Sequence, residues 1–573
     1  MFLYVRSRLN WIKIKFHLTV LEVDLAKKDS QQISLIPETD VLTLDYTLAE
    51  LPSSQHRAGL AGLVLMIDHW LQRFEGWKQD GAAICEIENL SEYSVTLRIN
   101  QLGLQALFNQ VYGASWEEQE RTQVLKNART KAVIPFKEEK EIDDVDKKGK
   151  PIKKKVYIYE VVVPKGAYIA DADPEGDRGK WIKLWRDMVW SILRGVPATR
   201  SPYESRANGK YTDDADKVWK ELLKPAEFTV DLPSTYYIGA QASNTENVPF
   251  KDRARYQFLL HFWVFASSIY VPAVINNEGK RDFVGYAIAI PDIAQLKIFC
   301  DEFLGLLKER GNEVTGYRPR DAVVDLAVEG ALDMMARLRD RISRLETSIG
   351  DLVMGVDVIH VEKQGNNVRI LGSTRLDPPE QEWIDKYREI RESLWHSTFR
   401  RQRLLNLVSD KNWHIGFDSL LCTTAYELTM GNDYFCHDVR ESFKYEVENM
   451  SEETEQNLNP EVAEYSCEKL VLRLVKSYVM SKLEGKYQLN WKTVQGTTKE
   501  TEYREKKGKI AKSAFLEVRS RTEKSDFINY FASTICSVSQ RMNEDSFEKL
   551  TRDLYEDTDK VRTLTMLALS ANS

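Results

Sequence analysis

Six cysteines are spread over 573 residues, and no two of them form a CxxC pair. Cys85, Cys300, Cys422, Cys436, Cys467 and Cys536 therefore support neither a zinc site nor a disulfide framework, and a reducing cytoplasmic location fits them. Long apolar runs are missing as well. Nowhere do about 18 uncharged apolar residues follow one another, so no membrane-spanning helix is expected. Neither the phosphate-cradling GxxxxGK followed by Ser or Thr nor a Gly-x-Ser-x-Gly elbow occurs. The eight histidines do not cluster: His56 and His69 flank an apolar helix and His261 lies in an apolar stretch. Each reads as a structural residue, so no catalytic residue, metal ligand or cofactor is assigned. A net charge of −7 argues against a protein that coats nucleic acid over its whole surface, but it leaves room for a local basic groove.

The chain exceeds what one core organises, and two or three domains are expected. Residues 1–41 read as an N-terminal extension. Its first 25 residues are basic and amphipathic, with Arg6, Arg8, Lys13 and Lys15 interrupting every apolar run and no small-residue cleavage site following. They fit a strand, or translation begun too far upstream, better than a signal peptide. Residues 42–378 mix strands and helices. Val41–Leu48, Ser94–Ile99 and Lys155–Pro164 read as strands, and Trp181 to Leu193 has the apolar spacing of a helix. Asp143–Lys155 lacks apolar periodicity and reads as a mobile charged loop. Phe258–Phe265, Ile269–Val274 and Phe283–Ile290 read as strands. Helices are expected over Ile293–Glu309 and Asp321–Leu345, and a hairpin over Val353–Leu371. From residue 379 to 573 strand signals stop and helical patterns continue. The fold class is α+β: a mixed α/β N-terminal region followed by an all-α C-terminal helical bundle.

Tyr46–Ile67, YTLAELPSSQHRAGLAGLVLMI, is the most informative stretch. It predicts a strand, a turn, and a helix with almost no polar face, capped by Ser53 or Ser54. Gly59 and Gly62, one turn apart, allow another backbone to come close. Gly239–Arg255, GAQASNTENVPFKDRAR, is a polar loop between a Tyr-Tyr-Ile strand and an apolar stretch. Gln241, Asn244 and Asn247 carry the donors and acceptors that reading a base edge requires, and Lys251, Arg253 and Arg255 suit flanking phosphates. The alternative is a loop whose amides satisfy its own backbone. Asn208 and Lys210, in a polar stretch, are added to this DNA-binding set.

Two segments are locally basic. Arg121–Lys155 holds 12 Lys/Arg against 6 Asp/Glu, and Lys499–Lys524 holds 9 against 5. In the first, Lys147, Lys148, Lys150, Lys153, Lys154 and Lys155 form either a solvated lysine loop or an arm that follows a DNA backbone. In the second, Lys506, Lys507, Lys509, Lys512, Arg519 and Arg521 line a track suited to a single strand, or simply face solvent. His437-Asp438 resembles half of a metal phosphohydrolase site but lacks further ligands nearby. Asp171-Ala172-Asp173 reads as a solvated turn.

YTLAELPSSQHRAGLAGL, GAQASNTENVPF with its LLHFW stretch, KRDFVGYAIAIPD and the C-terminal FINYFASTICSV and VRTLTMLALSA resemble the large subunit of type I CRISPR surveillance complexes (Cascade), nearest the subtype I-B group often called Myxan. The likeness runs from about Leu42 to the C-terminus. It implies a non-catalytic large subunit that recognises a short protospacer-adjacent motif in duplex DNA, aids strand opening and stabilises the displaced strand. The implied partners are guide RNA, target double-stranded DNA, the backbone and other Cascade subunits, and an effector, either a helicase-nuclease or a transposon targeting protein. The resemblance also implies a small-subunit-like part at about residues 430–573, translated from an internal start at Met430 or Met450. A metal-dependent nuclease or phosphohydrolase, and a structural adaptor without DNA contact, are the competing readings.

Overall fold

The computed structural model describes residues 41–74, 82–126, 130–145, 151–193, 200–210, 213–231, 251–276, 280–364, 367–455, 465–538 and 544–573. It begins with β1 (Leu42–Thr47), which pairs with β3 (Ser94–Ile99), and β3 in turn pairs with β2 (Cys85–Leu90), all antiparallel. Between β1 and β2 runs α1 (Ser54–Leu65), buried at every residue except Arg57. The expected serine cap is not formed. Ser53 occupies the cap position, but its hydroxyl pairs with Nδ1 of His56 at 2.7 Å, and Ser54 donates to Asp357 instead. At this helix entrance a histidine of the same helix and a carboxylate distant in sequence compete for the hydroxyls.

After α2 (Gln101–Val111), capped by Asn100, come β4 (Ala114–Arg121), β5 (Glu138–Val145) and β6 (Pro151–Pro164), in the order β4-β6-β5. The expected mobile loop over Asp143–Lys155 is corrected by this sheet. Asp143–Val145 and Pro151–Lys155 are paired strands, and residues 146–150 between them lie outside the described set. Opposite charges replace apolar periodicity across the ladder: Lys154 meets Asp144 at 3.0 Å and Lys155 meets Glu139 at 2.6 Å. α3 (Lys180–Ser191) has the expected buried stripe of Trp181, Leu184, Trp185, Met188 and Val189. Asp173, read as part of a solvated turn, is buried and accepts the Ile182 amide of that helix at 2.8 Å.

The short strands β7 (Thr229–Asp231) and β8 (Lys251–Arg253) pair antiparallel and lead into α4 (Ala254–Leu259). The strand expected over Phe258–Phe265 is therefore a helical turn followed by a 3₁₀ turn at Trp263–Phe265. A run buried on all sides carries no period that separates strand from helix.

Next come β9 (Ser268–Ile275), β10 (Arg281–Phe283), β11 (Tyr286–Ile293), α5 (Leu296–Lys308), the small pair β12 (Val314–Thr315) and β13 (Arg318–Pro319), and β14 (Val323–Val324). They are followed by α6 (Glu329–Ile342), β15 (Val353–Gln364) and β16 (Asn367–Leu376). The main sheet runs β10-β9-β11-β15-β16, with β14 added parallel to β9. Every residue of β11 is buried, and α1 and α6 both pack on it. The helix expected from Asp321 starts only at Glu329, because Val323 and Val324 pair with β9.

No strand follows Leu376 among the described residues. The bundle contains α7 (Gln381–Ser393), α8 (Ser397–Val408), α9 (Asp433–Glu455), α10 (Cys467–Tyr487), α11 (Glu500–Ser520) and α12 (Thr558–Ala571), with shorter helices between. α12 is buried from Val561 to Ala571, with α9, α10 and α11 packed on it. Two hydrophobic cores result, and α6 serves both: Met334, Met335, Leu338 and Ile342 face the first, Leu332 and Ala336 the second.

The seam between the cores is charged. Asp325 and Glu329 are buried there. Arg391 reaches Glu329 at 2.9 Å, Arg400 and Ser397 reach the Asp325 carboxylate, and Arg401 donates to the Asp325 carbonyl at 2.7 Å. Burial raises the Glu329 pKa and Arg391 opposes the rise.

Candidate nucleic-acid interface

The first segment singled out in the sequence meets the described end of the second, Lys251–Arg255. Gly59 and Gly62 lie against the α4 turn so closely that a Cβ on either would collide with the carbonyl oxygen of Leu259 or Phe262. His56 bridges Ser53 and Asp252, its Nε2 lying 2.8 Å from the Asp252 carboxylate. Tyr46 donates to the Arg255 carbonyl at 3.0 Å, and burial drives its pKa far above the usual phenol value. The β7–β8 pair brings Asp231 opposite Lys251, and β8 is held to α1 through Asp252 and His56. Gln241, Asn244 and Asn247 themselves lie outside the described residues, as does the Tyr-Tyr-Ile strand.

Of the expected phosphate contacts beside that segment, Lys251 and Arg253 are exposed, and Arg253 lies over the Tyr256 ring at 5.2 Å while donating to its hydroxyl. Arg255 is half-buried, and its Nε has no partner among the described residues. Sequence reading missed a supporting network. Asp292, buried in β11, receives Arg57 from α1 and Arg375 from β16, and Arg57 also donates to the carbonyls of Leu48 and Leu51. An Asp inside the apolar run YAIAIPDI is the signal that marks it, since a buried carboxylate requires a cationic partner.

Asn208 and Lys210 are elsewhere. Asn208 accepts from the Trp116 indole of β4 at 3.1 Å and donates to Glu204, so its amide fastens the end of the helix Arg200–Ala207 to the β4 sheet. Lys147, Lys148 and Lys150 fall outside the described residues. Lys153, Lys154 and Lys155 are exposed or half-exposed along β6, and each has a carboxylate on β5 within 4 Å. The hydrogen bond from Lys155 to Glu139 raises the lysine pKa.

The helical track is only partly a track. Lys506 lies over the Tyr487 ring at 5.5 Å, Lys512 over Tyr426 at 4.2 Å, and Lys509 pairs with Glu505. Arg519 turns inward to the Cys422 and Thr424 carbonyls, and Arg521 pairs with Glu517 and lies over Tyr530. Lys507 is half-buried, and burial, Arg440 and Lys476 together push its pKa down to about 8.

The phosphohydrolase reading of His437-Asp438 finds no support. Asp438 is buried and accepts the amides of Trp395 and His396 at 2.7–3.0 Å, while His437 stacks on Trp395 with centroids 3.9 Å apart. That pair ties α9 to the α7–α8 corner. No group of three His, Cys, Asp or Glu side chains suited to a metal occurs among the described residues. No helix of the described residues is long and apolar enough to cross a membrane.

Comparison with known families gives two matches. A model described as the type I-B CRISPR Cas8b N-terminal domain matches residues 84–348, and one described as the type I-B CRISPR Cas8b C-terminal domain matches residues 353–572. No curated protein matches the chain.

Proposed function

This chain belongs to the Cas8b family and is a type I-B CRISPR large subunit, the premise from which we propose that it reads a protospacer-adjacent motif in duplex DNA, helps open the duplex and holds the displaced strand. Such a subunit works within a Cascade complex with other Cas subunits. The observation that carries the reading is the pairing of β7 with β8, with β8 held to the buried helix α1 through His56 and Asp252 and with Lys251 and Arg253 exposed beside it. An amide-rich sequence next to exposed cations suits a groove: phosphate contacts set the position and amides read base edges. Opening is a near-balanced exchange, because a guide–target heteroduplex replaces the DNA duplex at about 1.4 kcal/mol per stacking step. The protein therefore has only the first unpaired steps to cover, and it acts without cleaving the target itself. Guide RNA carries the rest of the sequence information, and a helicase-nuclease or transposition machinery acts downstream. Of the two internal starts, Met430 precedes α9 whereas Met450 lies within it, so a start at Met430 preserves the whole helical set.

The test uses the assembled complex and target DNA. Replacing Gln241, Asn244 and Asn247 with Ala is expected to abolish motif preference, and Lys251→Ala with Arg253→Ala to weaken target binding at every motif and lower its salt dependence. An adaptor without DNA contact would keep both properties. Cleavage of single-stranded DNA by the purified chain with Mg²⁺ or Mn²⁺ would favour the nuclease reading.

A further inference from the structure

A cavity of about 380 Å³ lies where the main sheet meets the helical bundle. One side of it is a face of the β15–β16 ladder. Val358 and His360 stand two apart on β15, and their cross-strand partners are Thr374 and Gly372 of β16, so all four share that face. Arg401 and Val408 of α8 line it from the bundle, and Leu376, which packs against both cores, lines it between them. Gly372 leaves the space open: a Cβ there would meet nothing within 4 Å. The ladder's irregularity falls at the next residue, Leu371, yet Gly372 has no left-handed φ that requires a glycine. A glycine inside a strand marks a bulge, a bend, or a site where a ligand or another backbone comes close, and no backbone comes close here.

The charges of the lining do not balance. Arg400 neutralises Asp325 and Arg391 neutralises Glu329, which leaves Arg401 as the surplus cation of the seam. Arg401 is half-buried and donates to the Asp325 carbonyl at 2.7 Å, but no carboxylate lies within ion-pair distance of it among the described residues. Arg375, the other cation of the lining, already meets Asp292 and Asp377 at 2.9 Å. His360 donates through Nε2 to the Val284 carbonyl at 2.7 Å, which fixes its ring as part of the wall. An apolar chamber with one unpaired guanidinium suits an apolar body that carries a single anionic group.

We propose that this cavity binds a small organic carboxylate, its carboxylate on Arg401 and its body, one ring or a short alkyl chain, over Gly372 beside Val358 and Leu376. Small-molecule sites enclose about 300–1,000 Å³ and favour the boundaries between structural units, and this cavity is at the small end of that range. Its occupant touches the sheet and α8 together, and so holds the two cores in one arrangement. The site is separate from the motif-reading contacts and does not depend on them.

The experiment titrates the full-length chain with phenylacetate and with its uncharged counterpart phenylacetamide, by calorimetry and by the unfolding temperature. Phenylacetate is expected to bind in the millimolar range and to raise the unfolding temperature, and phenylacetamide to bind about tenfold more weakly. Arg401→Gln is expected to weaken phenylacetate about tenfold and to leave phenylacetamide unchanged. Gly372→Val puts a side chain into the open space and is expected to abolish binding of both compounds while unfolding no earlier than the wild type. Should Gly372→Val fail to fold, the comparison of acid with amide in Arg401→Gln decides alone. Equal affinities for acid and amide, or phenylacetate binding that survives both substitutions, overturn the site. So does a wild-type chain that binds neither compound; if Gly372→Val then weakens assembly of the complex, the cavity receives a side chain of a partner subunit instead.

Discussion

The β5–β6 hairpin and the α9–α10–α11 end of the bundle hold lysines in opposite ways. In the hairpin, Lys153, Lys154 and Lys155 belong to the six-lysine run of Lys147–Lys155, yet a neighbouring strand meets these three with Glu141, Asp144 and Glu139. At the bundle end, Arg440, Lys476 and Lys507 are far apart in sequence and meet no carboxylate among the described residues. A run of lysines is therefore a poor measure of local charge, because cross-strand neighbours lie at positions that local composition does not show. The seam at Asp325 and Glu329 is a third case, where pairing is complete and burial makes each partner indispensable.

Substitutions sharpen this contrast, beginning with the seam. Arg391→Met leaves Glu329 buried without its main partner and is expected to cost about 3–5 kcal/mol in chemical denaturation. The glycine contact comes next. Gly62→Ala drives a methyl group into the Phe262 carbonyl, and a loss of about 2–3 kcal/mol is expected, with target binding by the complex failing in step. If Gly62→Ala unfolds at the wild-type midpoint, the close fit of α1 against α4 is wrong.

Acid probes both bodies at once. Burial lowers the pKa of His261, which pairs with the Tyr112 hydroxyl in the first core, to about 3, and that of His396, in the bundle, to about 4. Both folded values lie below the unfolded value of about 6.5, so the folded state binds fewer protons. Their stability contribution is intact above about pH 6.5 and is lost as pH falls toward 4. At pH 5.5 each ring is expected to cost about 1 kcal/mol, read as the fall in urea midpoint with pH. A flat profile from pH 7 to 5 would contradict the burial of both rings.

The smallest effect is expected at the hairpin. Lys155→Gln removes an exposed pair and should leave the unfolding midpoint unchanged. Its oligonucleotide affinity, set beside that of Lys507→Gln, is the direct comparison of a paired with an unpaired lysine. Equal losses from the two variants would erase the distinction drawn between the regions.

Much of the architecture was legible without coordinates. The apolar helix after Pro52, the strands Ser94–Ile99 and Lys155–Pro164, the hairpin expected over Val353–Leu371, which extends to Leu376, and the end of strand structure before residue 379 all follow from period and turn chemistry. The two glycines of α1 announced a close backbone approach. What failed did so for identifiable reasons. Phe258–Phe265 is apolar on every side, so period has no purchase on it, and Asp143–Lys155 is held by charge pairs across a ladder that only the fold establishes.

By itself, the order of residues determined the α+β division, the buried helix at Ser54–Leu65 and the chemical kinds of side chain available for binding. These depend on neighbours a few positions away, where helix and strand periods act. Tertiary structure alone decided which charges are neutralised, which carboxylates are buried and which distant cations share one surface. Coulomb interactions and desolvation depend on distance in space, and a folded chain sets those distances between residues hundreds of positions apart.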